Sequence, residues 1–466
     1  MKAIIPVMNE KSKRPYYLQL YDYIKNAVLS REMTPGERLP SLRALAKDLG
    51  LSITVIGMAY EQLSVEGYIY SKAGSGFFVS DIAVSGLPKE IIAEPKDNDF
   101  VESSLSKFEA SRLYDLSCFD FNKWKKCFNQ VLTYYPHLLL SESDPQGEQV
   151  LRLEISKYLY LSRGVICDPS QIVIGAGTQQ ITGQLSLLLF KMSINHVVLE
   201  DPCYLPVKNI FRDRGFNISS VAVSKTGINI LKLPENIRSA VYVSPSNQFP
   251  TGAVMPIGRR YELLKWAKRN DSIIIEDDYD SELRYFGKPI PALKGLDACD
   301  SVVYLGSFSL TLFPSIKISY MVLPEKPAEI FSDLRDDYMQ TCSKAEQLTL
   351  ALFMEHGYYQ TNIKKLRSLY SQKLQFLSSC IHNYAHNFIT IADRISGINM
   401  IINVKSSKSA DTLCCEAADI GVLVVPVSIY TDENSGNARQ LIFYYNQIPI
   451  GQMDKTVRAL ISLWRG

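Results

Sequence analysis

A chain of 466 residues is too long for one ordinary hydrophobic core, and two or three domains are expected. Fifty Lys and Arg against 48 Asp and Glu leave a formal net charge of +2, the balance of an ordinary globular protein. No apolar run reaches membrane-spanning length and the opening MKAIIPVMNEKSKRP lacks a signal-peptide core, so a cytoplasmic chain is expected. The nine cysteines are odd in number and lack framework spacing, which fits reduced thiols. The adjacent Cys414 and Cys415 read as small buried hydrophobes, and no CxxC pair or histidine cluster suggests a metal site.

The segment from Tyr16 to Arg31 places Leu20, Ile24 and Val28 at helical spacing, and Pro35-Gly36 then breaks the chain. Ser41 is a good N-cap for a second helix, LRALAKDL, which stops at Gly50. Ser52 caps a third, ITVIGMAYEQLSVE, ending before Gly67. The aromatic and β-branched runs of GYIYSKAGSGFFVS, set around a Gly-Ser-Gly turn, predict a β-hairpin. Three helices and a hairpin make a winged helix-turn-helix, whose third helix enters the DNA major groove.

The segment LPSLRALAKDLGLS…AYEQLSVEGYIYSKAGSGFFV resembles the DNA-binding domain of the GntR superfamily. The resemblance implies phosphate contacts for Arg38, Ser41 and Arg43, and close approach to DNA at the wing glycines Gly74 and Gly76. Phosphate contacts supply affinity and position but carry no sequence information directly. Where the family usually has arginine after the serine that opens the recognition helix, this chain has Ile53. Ser52 and Thr54 then remain for base edges, methyl groups for thymine, and guanine reading from this helix is expected to be weak. Residues 1–80 hold ten Lys and Arg against seven Asp and Glu, a modest electrostatic footprint.

From 81 to about 110 the sequence loses periodicity and reads as a linker; about 25 flexible residues reach roughly 25–30 Å. From 111 to 466, buried runs such as QIVIGAG, HVVLED, SAVYVSP, SIIIEDD and SVVYLGS alternate with helical stretches. This predicts an α/β domain with a mostly parallel, doubly wound sheet, finished by an α+β segment from about Cys342. Ligands of such sheets bind at the carboxyl ends of strands.

Those ends resemble, in order, the pyridoxal-phosphate site of fold-type I aminotransferases in the MocR/GabR arrangement. The resemblance gives Gly177 and Thr178 of GAGTQQ to the cofactor phosphate, where a helix N-terminus favours an anion. It lays Tyr204 of EDPCY on the ring, places Asn247 of SPSNQFPTG on the ring's hydroxyl side, pairs Asp277 of IIIEDDYDSE with the protonated pyridine nitrogen, and sets Tyr279 nearby. Ser307, Ser309 and Lys317 lie in YLGSFSLTLFPSIKISYMVLP, the loop that normally carries the cofactor-bound lysine. At the lysine's position stands Leu310, which can neither bond an aldehyde nor shuttle a proton. Lys317 replaces an arginine and loses its bidentate fork. Gln447 replaces the arginine for a substrate carboxylate, Asn399 a histidine, and Leu205, Pro206 and Val207 follow Tyr204 where a basic residue is expected.

The resemblance therefore implies a DNA-binding transcription regulator without catalytic residues. Its large domain is expected to act as a sensor, as a dimerisation module, or as both. A head-to-tail homodimer on double-stranded DNA is expected, with either non-covalent pyridoxal phosphate or another small phosphorylated effector. The alternative is a pyridoxal-phosphate-dependent aminotransferase with an accessory DNA-binding head.

Overall fold

A computed structural model of the chain describes residues 14–82, 115–285, 290–385, 387–392, 397–432 and 440–465. They fall into two compact units divided between Val101 and Glu102. The linker expected at 81–110 lies, apart from Asp81 and Ile82, outside the described residues.

In the first unit, α1 (Tyr16–Leu29) buries Leu20, Ile24 and Val28, the stripe its spacing predicts, and ends two residues before Arg31. Helix α2 (Leu42–Leu49) starts where the Ser41 hydroxyl accepts the Ala44 N–H at 3.2 Å, and stops at Gly50 in the left-handed region. Helix α3 (Ile53–Val65) is capped in the same way by Ser52, which accepts the Val55 N–H at 3.3 Å. Each cap satisfies an otherwise orphaned amide and contributes about 1 kcal/mol. Strands β1 (Ile69–Lys72) and β2 (Gly76–Val79) pair antiparallel, with Ile69 opposite Val79. Leu20, Ile24, Leu45, Ile56, Leu63, Ile69 and Val79 form one core beneath the three helices and the hairpin.

The second unit is built on an eight-stranded sheet of order β3-β10-β9-β8-β7-β4-β5-β6. The five runs singled out by their sequence are β3 (Ile172–Gly175), β4 (His196–Asp201), β7 (Ala240–Val243), β8 (Ile273–Asp278) and β9 (Val302–Ser307). Strands β5, β4, β7, β8 and β9 are parallel neighbours. β10 (Ser319–Val322) runs antiparallel between β9 and β3, and the short β6 (Gly227–Ile228) turns back against β5 (Asn217–Ser224). Helices Thr178–Lys191, Leu205–Asp213 and Ile257–Arg269 connect strands of this sheet, and Glu325–Leu334 follows β10. Because both faces are covered, β3, β7 and β8 are buried at every residue.

Beyond Cys342 come helices Lys344–Glu355 and Tyr358–Ala385, then an antiparallel sheet β11-β12-β14-β13 and the final helix Ile450–Arg465. Its strands are β11 (Ile389–Ile391), β12 (Asn399–Val404), β13 (Val424–Pro426) and β14 (Gln440–Tyr444). This part has its own core around Leu377, Ile402, Leu441 and Trp464. Cys415, expected to be buried beside Cys414, is instead exposed. Both lie on the helix Ala410–Asp419, where adjacent residues point about 100° apart and cannot share a core-facing stripe. Among the described residues no helix is long and apolar enough to cross a membrane.

A buried charge pair joins distant segments near the C-terminal core. Lys373, fully buried on the long helix, meets the Asp115 carboxylate at 2.6 Å and donates to the Asn446 carbonyl at 2.5 Å. Replacing Lys373 by Met leaves Asp115 without its cation, and denaturant unfolding at pH 7 is expected to show a loss of about 3–5 kcal/mol. The double change Lys373→Met with Asp115→Asn is expected to recover most of it.

Candidate functional site

Five sheet strands deliver side chains to one edge. β3 ends at Gly175, and Gly177, with φ +86°, caps the helix Thr178–Lys191. That conformation suits a glycine and leaves the amides of the first helical turn without a side-chain cap. The exposed Lys317 lies alongside: its Cδ is 3.8 Å from where a Cβ on Gly177 would stand. Lys317 itself holds φ +47° at the end of the short helical turn Pro314–Ile316, a strained conformation for a non-glycine residue. Ser319 is the register partner of both Gly175 and Ser307, so these strand ends converge. The Ser307 hydroxyl accepts from the Ser319 hydroxyl at 3.0 Å and from the Ser309 N–H at 3.3 Å. Gly177, Thr178, Ser307, Ser309 and Lys317 thus share one end of the sheet, with helix-terminal amides, hydroxyls and a cation that suit an anion.

Asp277 stands one residue before the end of β8. Its carboxylate accepts the Tyr242 hydroxyl at 2.6 Å, and burial pushes its pKa up to about 6 against the help of that hydrogen bond. Beneath it Asp278 meets Arg163 Nε at 2.7 Å and accepts the Tyr304 hydroxyl at 2.5 Å, while Arg163 also donates to Ser246 Oγ at 2.8 Å. Asn247 donates to Asp280 at 2.6 Å and to the Tyr279 hydroxyl at 3.3 Å. Gly397, just before β12, packs so tightly here that a Cβ would stand 3.0 Å from Asp280 Oδ2. Tyr204 remains 40% exposed, its ring edge-on to Phe249 at 5.9 Å. Phe249 also meets the rings of Tyr279 at 6.2 Å and Tyr430 at 4.9 Å. After Tyr204, Leu205, Pro206 and Val207 open a helix, with Val207 buried. The next residue, Lys208, is paired with Asp432.

The positions where the resemblance expects other residues are also defined. Leu310 is half-buried and packs against the hydrophobic core of the C-terminal part, which includes Leu283 and Leu366. Asn399 opens β12 and hydrogen-bonds Tyr444 on β14. Gln447 is half-buried, next to the Asn446 carbonyl that Lys373 binds. Sequence reasoning missed Tyr242, Phe249 and Arg163. A tyrosine in the otherwise aliphatic AVYV was a usable signal, since a buried phenol requires a partner. The other two gave none, because their partners are remote in the chain.

In the first unit, Arg38, Arg43 and Thr54 are exposed. Arg38 bridges to Phe78 of the wing, and its guanidinium atoms lie 3.6 and 3.7 Å from where a Cβ on Gly76 would stand. Gly74 and Gly76 hold φ +73° and +104°, a turn that favours glycine. Lys72 sits 5.1 Å above the Phe78 ring. Ser41 and Ser52 spend their acceptor oxygens on helix caps, leaving each hydroxyl proton for a contact.

Residues 16–79 match the family described as bacterial regulatory proteins, gntR family, and residues 118–435 match aminotransferase class I and II. The chain is 38% identical over 436 residues to the uncharacterized HTH-type transcriptional regulator YdeL of Bacillus subtilis, covering 91% of this chain and 92% of that protein. It belongs to the GntR-type regulators that carry an aminotransferase class I and II domain. The regulator is also 31% identical to the HTH-type pyridoxine biosynthesis transcriptional regulator PdxR of Corynebacterium glutamicum, over 80% of each chain. An archaeal alanine:glyoxylate aminotransferase shares its fold at a TM-score of 0.69 and 21% identity, covering 78% of this chain and 93% of that one. The GntR-type head makes the regulator a DNA-binding protein of transcription control.

The buried acid near the end of β8 has a pH signature. The Asp277 pKa lies near 6 in the fold against an ordinary 3.8, so folding is opposed wherever the carboxylate is ionised. Stability from this group falls as pH rises from about 4 to about 6 and then stays level, a penalty of at most about 3 kcal/mol. Asp277→Asn is expected to raise the thermal midpoint at pH 8, and the gain is expected to vanish at pH 4.

Proposed function

We propose that this regulator is of the MocR/GabR type and controls transcription through a large domain that binds a ligand without performing catalysis. The boundaries proposed are a DNA-binding head at 1–80, a linker at 81–110 and an effector domain at 111–466. The observation that carries the reading is Leu310. It stands at the position of the cofactor-binding lysine in the resemblance, and its side chain joins a hydrophobic core. A leucine offers neither nucleophile nor proton carrier.

The candidate-site residues fit pyridoxal phosphate held without a covalent bond. Gly177, Thr178, Ser307, Ser309 and Lys317 would hold the phosphate, and Asp277 the protonated ring nitrogen. Tyr204 would cover the ring, with Asn247 and Tyr279 on its hydroxyl side. When bound, the cofactor supplies an aldehyde and an electron-withdrawing ring. Asp277, with its partner Tyr242, would orient the ring by charge pairing in a buried site where such pairing is strong. The loss of arginine at Gln447 removes the usual carboxylate clamp and disfavours amino-acid recognition. A relative named for control of pyridoxine biosynthesis supports a vitamin B6 ligand; another small phosphorylated metabolite fits the same anion-binding groups. The regulator is proposed to act inside the cell as a head-to-tail homodimer on two DNA half-sites. The reading as an aminotransferase with an accessory head lacks a residue at 310 able to carry the chemistry.

Calorimetric titration with pyridoxal phosphate, followed by borohydride reduction and intact mass, is expected to give heat without a covalent adduct. An adduct on the unmodified chain would overturn the proposal. Absence of heat would leave another effector or a dimerisation scaffold. Leu310→Lys is expected to gain the reducible adduct. On the DNA side, Arg43→Ala is expected to weaken binding to all duplexes alike and lower the salt slope by about 1. A loss restricted to one operator would contradict a phosphate contact.

A further inference from the structure

The exposed face of α3 lacks the side chains that read most bases. Residues 53, 54, 57 and 58 lie on one side of the helix, since positions three and four apart are neighbours. Ile53 is 51% exposed, Met58 is 45% exposed and Thr54 is exposed. α3 contains no Lys or Arg for a fork onto guanine. The amide that could pair with adenine belongs to Gln62, which donates to Glu66 at 2.6 Å.

Gly57 supplies the second observation. It sits in the interior of α3, where glycine destabilises relative to alanine. A Cβ built there meets no atom within 4 Å, and its φ is not positive. Among the described residues neither packing nor backbone geometry therefore calls for glycine. It leaves a shallow notch bordered by Ile53, Thr54 and Met58.

We propose that this notch reads thymine: Ile53, Thr54 and Met58 surround the 5-methyl group of a major-groove thymine, and Gly57 lets the base edge come close. The inference rests on the DNA-binding reading of the head and adds the base class that α3 recognises. Thymine is the one base that presents a methyl group in that groove. Hydrocarbon contact with it needs no charge, so the cations near the wing and on α2 remain for phosphates.

The test uses the full-length protein and a random double-stranded DNA library. Selection is expected to enrich sites with fixed A·T pairs in each half-site. Replacing those thymines by deoxyuridine, which removes only the methyl, is expected to weaken binding about fourfold per methyl in contact. Gly57→Ala is expected to raise the thermal midpoint of the head while weakening binding to the selected site about tenfold. Ile53→Arg is expected to shift the selected base towards guanine. Enriched sites fixed as G·C, indifference to deoxyuridine, or unchanged affinity in Gly57→Ala would overturn thymine reading with the regulator reading intact. Absence of any enriched sequence would overturn sequence-specific DNA binding itself, and this inference with it.

Discussion

The pocket depends on one buried guanidinium. Glu276, Asp277, Asp278, Asp280 and Glu282 crowd the end of β8 and the turn after it, all buried. Unpaired carboxylates in such a place repel one another and lose their hydration. Arg163 reaches in from the end of the helix Gln149–Arg163, pairs with Asp278 and fastens the turn after β7 through Ser246. The desolvation of so many acids is relieved in part by protonation, since burial also pushes Glu276 and Glu282 up to about 7. In the function proposed, Asp277 would offer its carboxylate to the protonated nitrogen of a pyridine ring.

Much of this architecture was legible in the sequence. The winged head could be read almost residue by residue, because Ser41, Gly50 and Ser52 punctuate its helices through local hydrogen bonds and a left-handed turn. Five strands of the large sheet declared themselves as apolar runs. Three did not. The run Asn217–Ser224 alternates exposure and carries serines, Gly227–Ile228 is too short to show a period, and Ser319–Val322 is embedded in a loop motif. The strand-end residues of the candidate pocket were accessible through the resemblance. Their partners were hidden, because Tyr242 with Asp277, Asp280 with Asn247 and Lys373 with Asp115 are set by sheet register and tertiary packing.

Leu310 and Ile53 pose one physical question at two places. Each is a hydrocarbon at a position where the resembled families carry a nitrogen base. At Leu310 the side chain meets a protein core and is stabilised by the burial of apolar surface. At Ile53 it faces outwards, 51% exposed, and gains little from burial within the head. The same kind of side chain thus lies against a core at one position and faces solvent at the other.

The core of the head draws only on residues between Tyr17 and Ile82. In evolutionary terms the residues that make this core form a ledger of selection of their own. Under the function proposed, a body of the aminotransferase class would be kept for its shape and its affinity rather than for a reaction.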